Sequence, residues 1–197
     1  MAPKPGLPPP PADLSTRKLP LSPVKGLLFR IHRTDRPWRY FGKNISERFD
    51  DPLGKYGVLY AAGQPEAAFA EVFLRQLSLM VVAEVDLRAR SLTSIAANSL
   101  RCVDLTGAGL RKLSCDNRIS TEKPFTTTGL WSRAIYSHPQ QPDGIIYRSR
   151  HNPRFRCLAL FDRCDARLSA HKTEELMVAP LRAWTAKQLK HYNLALV

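Results

Sequence analysis

No apolar run in this 197-residue chain approaches the ~18 residues that a membrane span requires, and the start lacks the charged-then-apolar pattern of a secretory signal. These absences predict a chain without a membrane segment that works in the cytoplasm. Only four cysteines occur, Cys102, Cys115, Cys157 and Cys164, and their separations of 13, 42 and 7 match neither paired zinc knuckles nor a Cys-x-x-Cys redox motif. They are expected to be reduced structural thiols, with Cys157, in the apolar run CLALF, part of the core. The five histidines form no metal-ligand pair, so no metal is expected. Glycine is sparse, and Thr106-Gly-Ala-Gly109 lacks both the Gly-Lys-Ser/Thr ending of a phosphate loop and the full dinucleotide fingerprint; it reads as a plain turn. No Gly-x-Ser-x-Gly elbow is present, which argues against a serine hydrolase. Acidic residues are also few: 17 against 30 basic ones leave +13, a field that attracts phosphates, nucleic acid or an acidic protein, without choosing among them.

What is present divides unevenly. Residues 1–24 hold eight of the sixteen prolines and no aromatic residue. Such a stretch buries too little surface to offset its ordering entropy, so it is expected to be a disordered, polyproline-like tail, with a single domain over 25–197 and folding beginning near Gly26. Leu27 to Arg33 suits a strand with Phe29 and Ile31 inward and Arg30 on the opposite face, though Arg33, Arg36 and Arg39 lie close by. Further strands are expected over 79–87, 101–105, 145–148 and 157–162. A short helix or turn is expected over 91–100, a loop over 114–128, a helix capped by Thr128 with Leu130, Trp131, Ala134 and Ile135 on one face, and a helix over about 181–192. Short strands mixed with helices predict an α+β fold.

The chain is organised around residues 47–75. Gly57-Val-Leu-Tyr-Ala-Ala62 reads as a buried strand that breaks at Gly63. Gln64-Pro65-Glu66 then starts a helix, with proline suited to the first turn and Glu66 to the positive end of the dipole. Phe69, Val72, Phe73 and Leu77 form its buried stripe, and Glu71 falls off that stripe beside Ala67 and Ala68. On pattern alone Glu71 pairs with Arg75 at i,i+4 on a solvated face. The small alanines beside it, and Arg48 just upstream of the strand, instead leave room for a ligand.

Arg48-Phe-Asp, Gly57-Val-Leu-Tyr-Ala-Ala62, Pro65-Glu-Ala-Ala-Phe-Ala-Glu-Val72 and, later, Asp143-Gly-Ile-Ile-Tyr-Arg-Ser-Arg-His-Asn-Pro153 resemble, in that order, the arginine, glutamate and serine motifs of the RES domain. The resemblance covers roughly residues 26–165. It implies an ADP-ribosyltransferase-like fold and an NAD-degrading enzyme, usually the toxin of a bacterial toxin–antitoxin pair. By position it implies that Glu71 orients the nicotinamide ribose and stabilises its cation, and that Arg48 binds phosphate. Ser149 matches the motif serine, Tyr60 a wall for nicotinamide, and Arg30 an arginine near the family's start. No cofactor is implied beyond NAD as substrate and inorganic phosphate as co-substrate. The expected protein partners are an acidic antitoxin with a helix-turn-helix domain and, as homodimer, a second copy.

Cleaving the nicotinamide glycosidic bond develops positive charge on the ribose, which a neighbouring carboxylate stabilises while arginines hold the pyrophosphate. The leaving nicotinamide is neutral, so no strong general acid is required. Alternatives stay open: water or a protein as acceptor, the latter making a protein ADP-ribosyltransferase. A basic nucleic-acid-binding module, with Trp38, Tyr40 and Phe41 as stacking platforms, ranks lower because the arginines are dispersed and no nucleic-acid motif accompanies them. His151, two residues after Ser149, faces the same side in an extended segment and would imitate a nucleophile–base pair.

Overall fold

The computed structural model describes residues 6–76, 78 and 80–197. In chain order its elements are β1 (Leu21–Arg33), β2 (Val58–Ala62), α1 (Pro65–Phe73), β3 (Val81–Val82), α2 (Glu84–Arg88), β4 (Arg90–Asp104), α3 (Ala108–Lys112), α4 (Arg118–Thr121), α5 (Thr126–Tyr136), β5 (Gly144–Arg148), β6 (Arg156–Phe161), β7 (Leu168–Glu175), α6 (Leu181–His191) and β8 (Ala195–Leu196), with 3-10 turns at Leu14–Thr16 and Asp162–Arg167. The main sheet runs β1-β2-β6-β5-β4-β7. It folds back on itself because β1 also pairs along β4, from Leu21 opposite Val103 to Arg33 opposite Arg90. β4 and β5 are parallel; the other pairings in this sheet are antiparallel. This is the expected α+β architecture.

Period-two alternation sends successive side chains of one strand into two different cores. In β2, Val58 and Ala62 face the larger core while Leu59 and Ala61 face the smaller. In β6, Cys157, Ala159 and Phe161 take the first face, and Leu158 and Leu160 the second. Helices α1 and α5 cover the larger core with Phe69, Trp131 and Ile135, all fully buried. The smaller core lies inside the folded-back sheet and, among the described residues, its buried members include none from an α-helix. Helix α1 starts as its sequence requires, with Pro65 in the first turn and Glu66 at the dipole's positive end. Its stripe is Phe69, Val72 and Phe73; Leu77, expected to continue it, lies outside the described residues.

Several sequence expectations are corrected. The stretch 79–87 is not one strand: Leu79 lies outside the described residues, Val81–Val82 pairs with the C-terminal β8, and Glu84–Arg88 is helical. Val81 and Val85 are exposed while Val82 and Leu87 are buried, so no alternating face exists, and Glu84 and Asp86 favour the first turn of a helix. The stretch 91–100, expected as a short helix or turn, is the first part of the 15-residue β4. Its buried polar residues are accepted in the strand because both find a partner: Thr93 Oγ1 lies 2.8 Å from Thr173 Oγ1 and 2.9 Å from His32 Nε2, and Ser91 Oγ lies 2.9 Å from Thr34 Oγ1. Within the expected loop 114–128 lie α4 and the start of α5. Thr128 sits inside α5, giving its hydroxyl to the carbonyls of Phe125 and Arg48, and Leu130 is exposed instead of sharing the buried face.

The proline-rich start is the largest correction. From Gly6 onward it packs against the domain: Leu7, Leu14 and Leu19 are buried, and β1 already begins at Leu21, ahead of Gly26. Three leucines and hydrogen bonds to the 114–140 region anchor it, an arrangement invisible to composition because these hydrogen-bond partners lie more than 90 residues away.

Candidate active site

The segment before β2 is stitched by its own carboxylates. The Asp50 carboxylate accepts the backbone N–H groups of Ser46 and Glu47 at 3.1 and 3.0 Å and the Tyr60 hydroxyl at 2.9 Å. Asp51 accepts the Lys55 N–H at 2.6 Å. The Phe49 N–H in turn donates to the Tyr60 oxygen at 2.8 Å. Burial pushes the Asp50 carboxyl above its ordinary value and the Tyr60 hydroxyl well above its own, so Tyr60 stays a neutral donor to Asp50. The Tyr60 hydroxyl is thereby committed to the fold, and its ring is what it offers to the cavity.

Arg48 points from this segment into the protein. Its guanidinium donates to the Glu122 carbonyl at 2.9 Å and reaches the Ile119 carbonyl at 3.5 Å, with its Cζ 4.8 Å from the Phe125 ring centroid. The residue is only 7% exposed, and burial lowers its pKa. Arg30, on β1, donates to the Tyr60 carbonyl at 2.7 Å, and its buried Nε has no partner. Burial lowers the Arg30 guanidinium to about 10, against the opposing pull of Glu47, so it remains a cation at neutral pH.

Glu71 and Ser149 meet across the sheet. Ser149 stands at the end of β5, where its Oγ donates to Glu71 Oε1 at 2.5 Å and accepts the backbone N–H groups of His151 and Asn152 at 3.2 and 3.1 Å. With 1% exposure, its proton directed to a carboxylate and its lone pairs occupied, the Ser149 hydroxyl is fully engaged in holding the Glu71 carboxylate in place. The serine–histidine imitation is therefore not formed: His151 meets Ser149 through its backbone N–H, while its buried Nδ1 has no partner. The i,i+4 ion pair expected of Glu71 is also absent: Arg75 donates to the Glu71 backbone carbonyl at 2.9 Å and pairs with Glu47 at 2.8 Å, leaving the Glu71 carboxylate free to turn inward.

These groups line one cavity of about 420 Å³. Arg30, Arg48, Tyr60 and Glu71 are on its wall, and Ser149 stands behind Glu71. Arg75, Lys123, Arg150, His151, Tyr147, Phe125 and Tyr40 line it too. Of the aromatic loop only Tyr40 reaches the cavity; Trp38 and Phe41 pack on the smaller core. Burial lowers the His151 pKa, opposed by Glu71 and reinforced by Arg150, Arg75 and Arg48, so the imidazole is neutral at pH 7. The thiol of Cys157 is pushed well above its usual range by burial and by the neighbouring Glu71 carboxylate, which makes it an inert, protonated neighbour of that carboxylate. With Glu47 paired to Arg75 and Asp50 engaged by the fold, the Glu71 carboxylate, held by Ser149, shares the cavity wall with Arg30, Arg48, Lys123 and Arg150. That arrangement suits an anionic ligand with one cationic or cation-forming centre.

Sequence reading missed Tyr147, Arg150 and the Lys123–Phe125 wall. Alternation from Ser149 points to Tyr147, two residues before it on β5, and Arg150 adjoins the serine; nothing local marks Lys123 or Phe125.

A sequence model described as the RES domain matches residues 27–185. The chain is 39% identical over 67 residues to the probable toxin y4kH of Sinorhizobium fredii (strain NBRC 101917 / NGR234), a match spanning 34% of this chain and 50% of that protein. The chain thus spans about half the length of this curated relative. A chain in the crystal structure of the M. tuberculosis MbcT–MbcA toxin–antitoxin complex is similar in fold, with a TM-score of 0.69, 17% identity and coverage of 89% of this chain and 98% of that one.

Proposed function

The chain belongs to the RES domain family, and we propose that it degrades NAD by cleaving the bond between nicotinamide and ribose, with inorganic phosphate as acceptor. The observation that carries this reading is the Glu71 carboxylate, aimed by Ser149 at 2.5 Å into a cavity whose other charged walls are mainly cations. In the reaction the C1''–N bond breaks and its electron pair neutralises the nicotinamide ring, so no proton has to be supplied to the leaving group. The ribose gains oxocarbenium character, which Glu71 opposes with negative charge at close range. A phosphate oxygen then bonds to C1'', giving ADP-ribose-1''-phosphate. Arg30 and Arg48 supply fixed positive charge for the pyrophosphate, and the Tyr60 and Tyr147 rings form apolar walls against which a flat nicotinamide can rest.

The same reading makes the chain a cytoplasmic toxin restrained by an antitoxin. It is supported by the name of the S. fredii relative and by the toxin–antitoxin complex that the fold resembles. The charge of +13 favours an acidic antitoxin surface. Among the described residues no helix is long and apolar enough to cross a membrane.

The test is NAD consumption by purified, antitoxin-free protein with and without millimolar phosphate, following nicotinamide and the ribose product by mass. Phosphate-dependent loss that vanishes in Glu71→Ala is expected. Loss without phosphate would make water the acceptor, labelling of a protein from tagged NAD would make the chain a transferase, and no turnover of any kind would refute the reading.

A further inference from the structure

The cavity wall that carries Lys123 and Phe125 is tied to the start of the chain, outside the family match at 27–185. The Leu7 N–H donates to Glu122 Oε2 at 2.6 Å, and Arg118 donates to the Gly6 carbonyl at 2.7 Å. The indole N–H of Trp131, a fully buried residue of α5, donates to the Pro8 carbonyl at 2.8 Å. These three bonds clamp both ends of the 118–131 stretch. Within it, the Glu122 carbonyl is the 2.9 Å acceptor of Arg48, and Phe125 is the ring beneath the Arg48 guanidinium. A guanidinium whose anchors are backbone carbonyls can be no better placed than the backbone itself.

We infer that the proline-rich strap at Gly6–Pro8 is a positioning element of the active site: through Glu122 and Trp131 it fixes the 118–125 wall and thereby sets where Arg48 presents its charge. The composition fits the task. Prolines at 8–11 hold the segment extended with few rotatable backbone angles and leave its carbonyls open to accept, so docking costs little entropy. The strap touches neither Glu71 nor Ser149 among its hydrogen bonds, so it acts on ligand binding and not on the stabilisation of ribose charge. This inference rests on NAD being the ligand, and its test separates the two claims.

Glu122→Ala removes the acceptor of the Leu7 N–H while keeping the carbonyl that holds Arg48, and Trp131→Phe removes the N–H to Pro8 together with part of a buried ring, so thermal unfolding of each single variant is measured beside its kinetics. Glu122→Gln retains an acceptor oxygen and serves as the rescue. In the double variant Glu122→Ala/Trp131→Phe, the KM for NAD should rise about tenfold with kcat within about twofold, as expected when a ground-state anchor is displaced, and Glu122→Gln should stay near the parent. Hydrogen exchange should quicken at the amides of 118–123 and also at 47–50, the segment that carries Arg48. An unchanged KM, or a fall confined to kcat, overturns the inference. Should the parent itself fail to turn over NAD, the proposed function fails and exchange alone decides: faster exchange in both segments supports the coupling, and faster exchange at 118–123 only overturns it.

Discussion

Ser149→Ala distinguishes a serine that aims a carboxylate from a serine that attacks. In the folded chain the hydroxyl makes three bonds: one given to Glu71 Oε1 at 2.5 Å and two accepted from backbone N–H groups at 3.2 and 3.1 Å. Deleting it removes one charge-assisted bond, worth about 1.5–3 kcal/mol, which converts to roughly ten- to a hundred-and-fiftyfold in kcat/KM if all of it bears on the transition state. It also leaves the backbone N–H groups of His151 and Asn152, two half-buried residues, short of a partner, a cost of about 1–3 kcal/mol and so a fall in Tm of several degrees for a domain of this size. The assay is NAD turnover and thermal unfolding on Ser149→Ala beside Glu71→Ala. Residual activity in the serine variant, well above that of the glutamate variant, is expected. Equal and complete loss in both would make Ser149 a reacting group. An unchanged rate with a lowered Tm would refute the idea that Glu71 needs aiming at all.

Two further outcomes test the electrostatics and the packing. His32 and His151 both have pKa values lowered from 6.5 chiefly by burial. Backbone carbonyls and Glu71 respectively oppose the shift, and Arg30 and Arg90 reinforce it for His32 as Arg150, Arg75 and Arg48 do for His151. A folded pKa below the unfolded one means that the unfolded chain binds protons first. This contribution to stability is therefore complete above pH 6.5 and is lost as the pH falls through the lowered values. Urea unfolding at pH near 7.5 and near 5 should show a decline that His151→Gln makes shallower; parallel pH slopes for parent and variant would contradict the assignment. Gly109→Ala places a Cβ 1.8 Å from the Asp104 carbonyl oxygen, at the exit of β4, where backbone has to move. A loss of about 2–4 kcal/mol in unfolding free energy is expected, and a variant as stable as the parent would show that the start of α3 has slack.

How legible the site was depends on the distance over which each residue is fixed. Glu71, Tyr60 and Arg48 lie within 24 residues of one another, on a strand and helix whose boundaries Gly63, Pro65 and Glu66 mark chemically, and their order on the chain nearly fixes their order in space. Ser149 was found as the end of a strand, but its role was not readable. Whether a serine attacks or aims depends on who receives its proton, and that receiver lies 78 residues away. Arg75 misled for a similar reason: spacing pairs it with the Glu71 side chain, whereas the fold brings up Glu47 and leaves only the Glu71 carbonyl to Arg75. The 91–100 segment misled because local polarity argues for a turn, and only strands on both flanks, β1 and β7, supply partners that make Ser91 and Thr93 acceptable inside a sheet.

Local chemistry alone therefore determined the α+β class, the strand–turn–helix that presents Glu71, the family motifs and the basic charge. Each of these needs only neighbours within a few turns of chain, whose sterics and dipoles act wherever the segment ends up. Tertiary structure decided that Arg48 is anchored on backbone carbonyls, that Ser149 gives its proton to Glu71, and that a proline-rich start becomes a strap. Those outcomes depend on which donors and acceptors are desolvated together, and a buried polar group takes whichever partner the fold delivers because leaving it unpaired costs more than any local preference provides.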